Sequence, residues 1–143
     1  YIHPVTMEAA LEVASNLRTE DRRELEEGHG VSVLSYFIQE GRRGSCKAFT
    51  VPNGKTAGLV GVEEDGNIWM LTTPAIEEYP ITFARESKRF ILSRKEPILW
   101  NKIDKRNTVH LKLLKFLGFK FLREITYGPN QLKFIEFYYV RKR

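Results

Sequence analysis

The sequence predicts a mixed α/β fold, with a central, mostly antiparallel sheet and helices on both of its faces. Three observations predict it. Apolar residues recur at helical spacing near the start, after Pro74 and after Asn107, while the period changes to two from Gly44 to Thr73 and again in the last quarter. Paired Asn-Gly and Asp-Gly turns punctuate the alternating stretch. Runs of helix and strand in this order argue for one sheet covered on both sides.

The elements follow in order. "YIHPVT" reads as the end of a strand. Met7, Ala10, Leu11, Ala14 and Leu17 then share a helix face, with Thr6 as its N-cap. Thr19 offers a second cap with Glu20 and Asp21 in a first turn, and this helix ends on Gly28 and Gly30. "VSVLSYFIQEG" reads as a further helical turn or an irregular apolar segment. Three strands at 44–51, 56–64 and 67–73 follow, joined at Asn53-Gly54 and Asp65-Gly66. A long helix after Pro74 runs to about Arg94, and Pro80 is admissible only in a first turn. "PILWNKI" is a strand. In "NTVHLKLLKFLGFKF", Val109, Leu113, Phe116 and Leu117 make one stripe that Leu111 and Leu114 widen, which predicts an almost wholly buried helix ended by Gly118. "FKFLREITY" and "LKFIEFYYV" close the chain as strands around "GPNQ".

Composition narrows the function classes. The chain has 143 residues, 42% of them apolar, and a formal charge of +5. That suits a single domain over 1–143, able to bury about two thirds of its unfolded surface. Its apolar runs are far shorter than the roughly 20 residues of a membrane helix, and Tyr1 follows neither an initiator Met nor a leader, so the chain reads as soluble and lacking its own N-terminus. Cys46 is alone and His3, His29 and His110 are scattered, which predicts no disulfide, no metal site and a reducing interior. The positive charges are dispersed. Only Arg141 to Arg143 form a run, read as a solvated tail rather than a nucleic-acid contact.

The element order, with an Asn-led helix that ends in Gly-Phe, resembles the GNAT N-acetyltransferase fold. In that family the sheet splays between its fourth and fifth strands, and acetyl-CoA lies in the gap with its pantetheine in place of a strand. Here the flanking strands are Asn67 to Thr73 and Pro97 to Ile103. "TTPAIEEYPITFARESKRFI", "LWNKIDKRNTVHLKLLKFLGFKF" and "YGPNQLKFIEF" are more specifically similar to GNAT-like phage proteins, the internal virion protein A group of T7-like podophages. That resemblance implies a virion morphogenesis role among phage structural proteins, in the virion or the bacterial host cytoplasm.

Acetyl transfer makes three physical demands on this sequence. Active members hold the CoA pyrophosphate with backbone N–H groups of a Gly-rich turn after the fourth strand. The matching stretch, Thr73 to Arg85, has no glycine, two prolines and the acidic pair Glu77 and Glu78. A Tyr often protonates the leaving thiolate, and alignment on Asn107 and Gly118 puts Leu114 there. His110, on the same helical face, is the substitute acid, or else a hydrogen-bonded packed histidine. A base for the acceptor amine is offered by Glu63, Glu64 or Glu124, none singled out by spacing.

The sequence therefore predicts a non-catalytic member with no cofactor, its cleft filled by Trp69, Met70 and Trp100. The alternative is an acetyl-CoA-dependent N-acetyltransferase with a divergent loop. It would use the backbone of Leu71, Thr72 and Thr73 for pantetheine, Arg85 and Lys88 for phosphates, Asn107 beside the cofactor and His110 as acid. Asn107 also reads as a plain N-cap.

Overall fold

The computed structural model describes residues 2–32 and 46–141; the apolar segment expected after Gly30 lies, beyond Ser32, outside them. The first sheet has the order β1-β2-β3-β4, all antiparallel, from Ile2–Pro4 (β1), Cys46–Thr50 (β2), Thr56–Val62 (β3) and Ile68–Thr72 (β4). The second has the order β5-β7-β6, also antiparallel, from Ile98–Asp104 (β5), Lys120–Tyr127 (β6) and Leu132–Val140 (β7). One parallel bridge, Asn67 with Trp100, joins them.

The helices are Met7–Ser15 (α1), Thr19–Arg23 (α2), Ala75–Glu78 (α3), Pro80–Ser93 (α4) and Thr108–Leu117 (α5), and α2 runs directly into a π-helical segment, Glu24–His29. Leu59, Trp69 and Leu71 face α1 with Val13 and Leu25, whereas Val60, Val62 and Ile68 face α4 and α5 with Phe83, Phe90 and Leu117. Period-2 alternation on the strands thus feeds two cores, as helices on both faces require. The fold is a mixed α/β fold with antiparallel sheets, splayed where β4 and β5 part.

Local chemistry explains the junctions. Thr6 caps α1 through its Oγ1, which accepts from the Ala9 N–H at 3.1 Å. Pro80 opens α4 and splits the expected long helix in two. Gly66, at φ 91°, both turns the hairpin and lets β5 approach, because a Cβ there would lie 2.0 Å from the Ile98 oxygen. The Trp100 N–H donates to the Gly66 oxygen at 3.0 Å, which fastens the two sheets at the start of β4.

Several expectations are corrected. Helix α5 buries His110 and Leu117, with Leu113 and Leu114 partly covered, but leaves Val109 and Phe116 exposed. The buried face is centred on the polar His110 because partners await it there. Asn107 precedes α5 without capping it by its side chain, and α2 follows Arg18, likewise without a side-chain cap. Arg141 is no solvated tail: it donates from Nε to the Glu96 oxygen at 3.1 Å and from Nη2 to the Ile91 oxygen at 3.0 Å, closing the end of α4.

Candidate functional site

Strand register decides what the splay exposes. The Thr73 N–H donates to the Ala57 oxygen and the Glu63 N–H to the Asn67 oxygen, so odd-numbered residues of β4 bond to β3. Ile68, Met70 and Thr72 therefore turn their N–H and C=O groups toward β5. By the same parity, set by Lys105 with Lys133 and Arg141 with Pro97, residues Trp100, Lys102 and Asp104 face β4. Two strand edges thus face each other across a widening gap. Unpaired edges in a protein interior must find partners.

They find them in side chains. Asn101 spans the gap, donating from Nδ2 to the Ile68 oxygen at 2.7 Å and accepting from the Lys102 N–H at 2.7 Å. Further along, two carboxylates one helical turn apart divide the task. Asp21 accepts at Oδ2 from both the N–H and the Oγ1 of Thr72, each at 2.6 Å, while Glu24 accepts from the Asp104 N–H at 2.9 Å. The Thr72 oxygen accepts from the Arg18 N–H at 2.9 Å. The chain's own segment from Arg18 to Glu24 thus occupies the edges of both strands, at Thr72 and at Asp104.

A buried polar cluster grows from this contact. Arg18, 3% exposed, donates from Nη1 to Asp21 Oδ1 and to Asn107 Oδ1, both at 3.3 Å. Asn107 Nδ2 donates to Asp21 Oδ1 at 2.9 Å, and His110 Nε2 lies 2.9 Å from Thr72 Oγ1. Asn107 and His110 are drawn into the core by these bonds. Burial pushes the His110 ring below its usual value, against the pull of Asp21, so it is neutral at neutral pH. Glu24 is pushed up to about 8 by burial; the bond from the Asp104 N–H opposes this, and the neighbouring Asp21 and Asp104 charges add to it. Arg106 clamps Asp104 and reaches Glu27, tying the π-helical segment to the end of β5.

Beside the cluster lies a cavity of about 290 Å³. Ile68, Met70 and Leu71 form its β4 wall, and Phe90, Ile91, Leu113 and Leu117 its helix wall. Glu24, His29, Glu63, Lys102 and Tyr127 are polar members of its lining. The His29 Nδ1 and Tyr127 hydroxyl are 3.1 Å apart, and the Lys102 ammonium sits 4.4 Å above the Tyr127 ring. Burial and Lys102 both lower the His29 pKa. The cleft is therefore not filled as expected. Met70 and Trp69 line the cavity without filling it, Trp69 packing on Gly61, where a Cβ would meet its indole at 2.4 Å, and Trp100 stands at the sheet junction, 38% exposed, with its Nε1 donating to the Asp65 oxygen.

The residues named from sequence are only partly brought together. Thr72, Asn107 and His110 meet in the buried cluster. Leu71 lines the cavity, but its backbone and that of Thr73 face β3, and Met70 presents its N–H and C=O to the gap instead. Arg85 and Lys88 are exposed on α4, Lys88 with its ammonium 5.2 Å from the Phe116 ring. Glu124 pairs with Lys105 on the surface and Glu64 is at a hairpin tip; Glu63 reaches the cavity. Asp21 reads from sequence only as a first-turn acid and His29 only as a scattered histidine, and Arg18 and Glu24 go unnamed, because acids in a first turn look like ordinary partners of the helix dipole. The i, i+3 spacing of Arg18, Asp21 and Glu24 was the available signal.

Does the site fit CoA? The turn after β4 does not cradle a pyrophosphate. The Ala75 N–H donates to Thr73 Oγ1 at 3.3 Å, the Ile76 and Glu77 N–H groups close onto Thr73 and Pro74 oxygens, and Pro80 has none. Glu77 and Glu78 add like charge. At Thr72 the strand edge is already bonded.

The fold defined by these two sheets and their splay is that of the GNAT acetyltransferases. The chain is similar to a GNAT-family acetyltransferase from Bacillus anthracis, with a TM-score of 0.73, 8% identity, and coverage of 97% of this chain and 93% of that one. It is similar also to a GNAT acetyltransferase from Streptococcus agalactiae, at 0.71 and 12% identity over 100% and 96% of the two chains. A spermidine N-acetyltransferase from Vibrio cholerae, solved with CoA and spermine, matches at 0.63 and 11% identity over 98% and 94%. No family model and no curated protein matches the sequence. Among the described residues no helix is long and apolar enough to cross a membrane, and no cluster of metal-ligating side chains occurs.

Proposed function

We propose that the chain is a non-catalytic GNAT-fold protein that serves phage virion morphogenesis through contacts with other phage structural proteins. One observation carries the non-catalytic reading. The backbone groups that a cofactor would need, at Thr72 and in the turn after β4, are bonded to Asp21, Arg18 and Thr73 of the same chain. Opening them to a ligand would strand a buried carboxylate, which is costly. The phage role rests on the sequence resemblance and places the protein in the virion or the host cytoplasm. Mass spectrometry of purified particles of the encoding phage, and of its assembly intermediates, tests it. The protein is expected among the particle or intermediate proteins, and its confinement to the unassembled fraction would overturn the reading.

A second reading, an acetyl-CoA-dependent N-acetyltransferase, is favoured by the cavity and by the Met70 N–H and C=O that face the gap. There the chain's own contribution is Met70 as a strand-like partner and Glu24 or Glu63 to receive a proton from the acceptor amine, while His110, expected as the acid, is disfavoured in that role because burial lowers its pKa. It requires the Asp21 cluster to yield to the cofactor.

A further inference from the structure

Two polar groups on the cavity wall lack partners. Ser87, on α4, lines the cavity, is 1% exposed, and has no hydrogen-bond partner for its Oγ. A buried hydroxyl left unmade is a standing penalty that a native fold usually avoids. The second group emerges from the proton order in the buried cluster. Asp21 Oδ2 is 2.6 Å from Thr72 Oγ1, a separation that requires the hydroxyl proton between them. Thr72 Oγ1 can then offer His110 only a lone pair. The Nε2 atom, 2.9 Å from that oxygen and 3.5 Å from Asp21 Oδ1, must carry the ring proton. In the neutral ring Nδ1 is then a bare acceptor, and among the described residues none bonds to it.

The geometry points to the cavity as a binding site for a small uncharged alcohol with an aryl or short alkyl body, its hydroxyl proton accepted by His110 Nδ1 and its oxygen within reach of Ser87. Asp21 and Thr72 are positioning residues, which hold the ring in the accepting tautomer. Size and polarity set the class. A cavity of about 290 Å³ is roughly twice one that holds benzene, so it takes one ring and a short arm. Phe90, Ile91, Leu113, Leu117, Phe119 and Phe137 among its lining residues suit an apolar body, and the partnerless His110 and Ser87 atoms suit one hydroxyl. This site requires neither CoA nor a reaction, so it stands apart from the function proposed above.

The test titrates the full chain with 2-phenylethanol and with propylbenzene of the same shape. The alcohol is expected to bind saturably, about tenfold or more tighter than the hydrocarbon, since one buried hydrogen bond separates them. Nitrogen-15 spectra should show His110 protonated at Nε2, and Thr72→Val should disturb that signature. Ser87→Ala should leave the free protein at least as stable as the parent while reducing the alcohol's thermal shift. Equal binding of alcohol and hydrocarbon, no binding of either, or a ring protonated at Nδ1 would each overturn the inference.

Discussion

At the scale of single residues, Asp21 is the hinge of the account. It accepts from Thr72, Asn107 and Arg18 at once, and it is 2% exposed. Asp21→Ala removes the acceptor of the Thr72 N–H and hydroxyl and of the Asn107 amide and takes one carboxylate from buried Arg18, which keeps Glu20 at 3.0 Å. The expected loss is about 3–5 kcal/mol, to be read from urea unfolding. A loss below about 1 kcal/mol would show the cluster to be peripheral. Glu24 gives a prediction of opposite character. Its carboxyl is raised from 4.5 to about 8, so between those values the folded chain holds a proton that the unfolded chain has released. Stability is therefore highest below the lower value, falls as pH rises and levels off above the upper one. The slope is at most about 1.4 kcal/mol per pH unit. Glu24→Gln should flatten this decline; if the parent and the variant lose stability in parallel, the assignment fails.

At the scale of elements, the π-helical segment is held by the β6–β7 turn. Gly28 lies against the ring of Phe134, where a Cβ would sit 2.5 Å from Cζ, and Asn130 Nδ2 donates to the Glu27 oxygen at 2.8 Å. Phe134 is wholly buried and has no room to yield. Gly28→Ala should cost about 1–3 kcal/mol in unfolding by urea and shift the His29 ring signals, because His29 packs edge-on to Tyr127 and Phe134. An unchanged midpoint would mean that the segment is not seated there. The elements themselves were largely legible in sequence. Gly54, Gly66 and Gly118 all adopt positive φ where hairpin turns and a helix end were read. The split into two sheets, expected from the family resemblance between Asn67–Thr73 and Pro97–Ile103 and found between β4 and β5, could not be read from periodicity alone. Period-2 patterning specifies faces, and only the register between distant strands specifies which edges remain open.

At the scale of the whole molecule, the site was legible in part. His110 and Asn107 stood out on one helix, but their partners Arg18 and Asp21 are 89 and 86 residues from Asn107. Spacing along a chain carries no such information. Asn101 illustrates how the halves cohere, since its amide spans the gap between Ile68 and Lys102. Asn101→Ala should speed hydrogen exchange at Lys102 and Trp100 while leaving β2 and β3 protected; uniform exchange would mean that the sheets open together. The chain's own segment from Arg18 to Glu24 takes the place of a cofactor on the splayed strands. Calorimetric titration with acetyl-CoA, with CoA and ATP as controls, tests it most directly. No saturable heat is expected from acetyl-CoA, and saturable binding clearly tighter than that of ATP would show that the strand edges remain open to the cofactor.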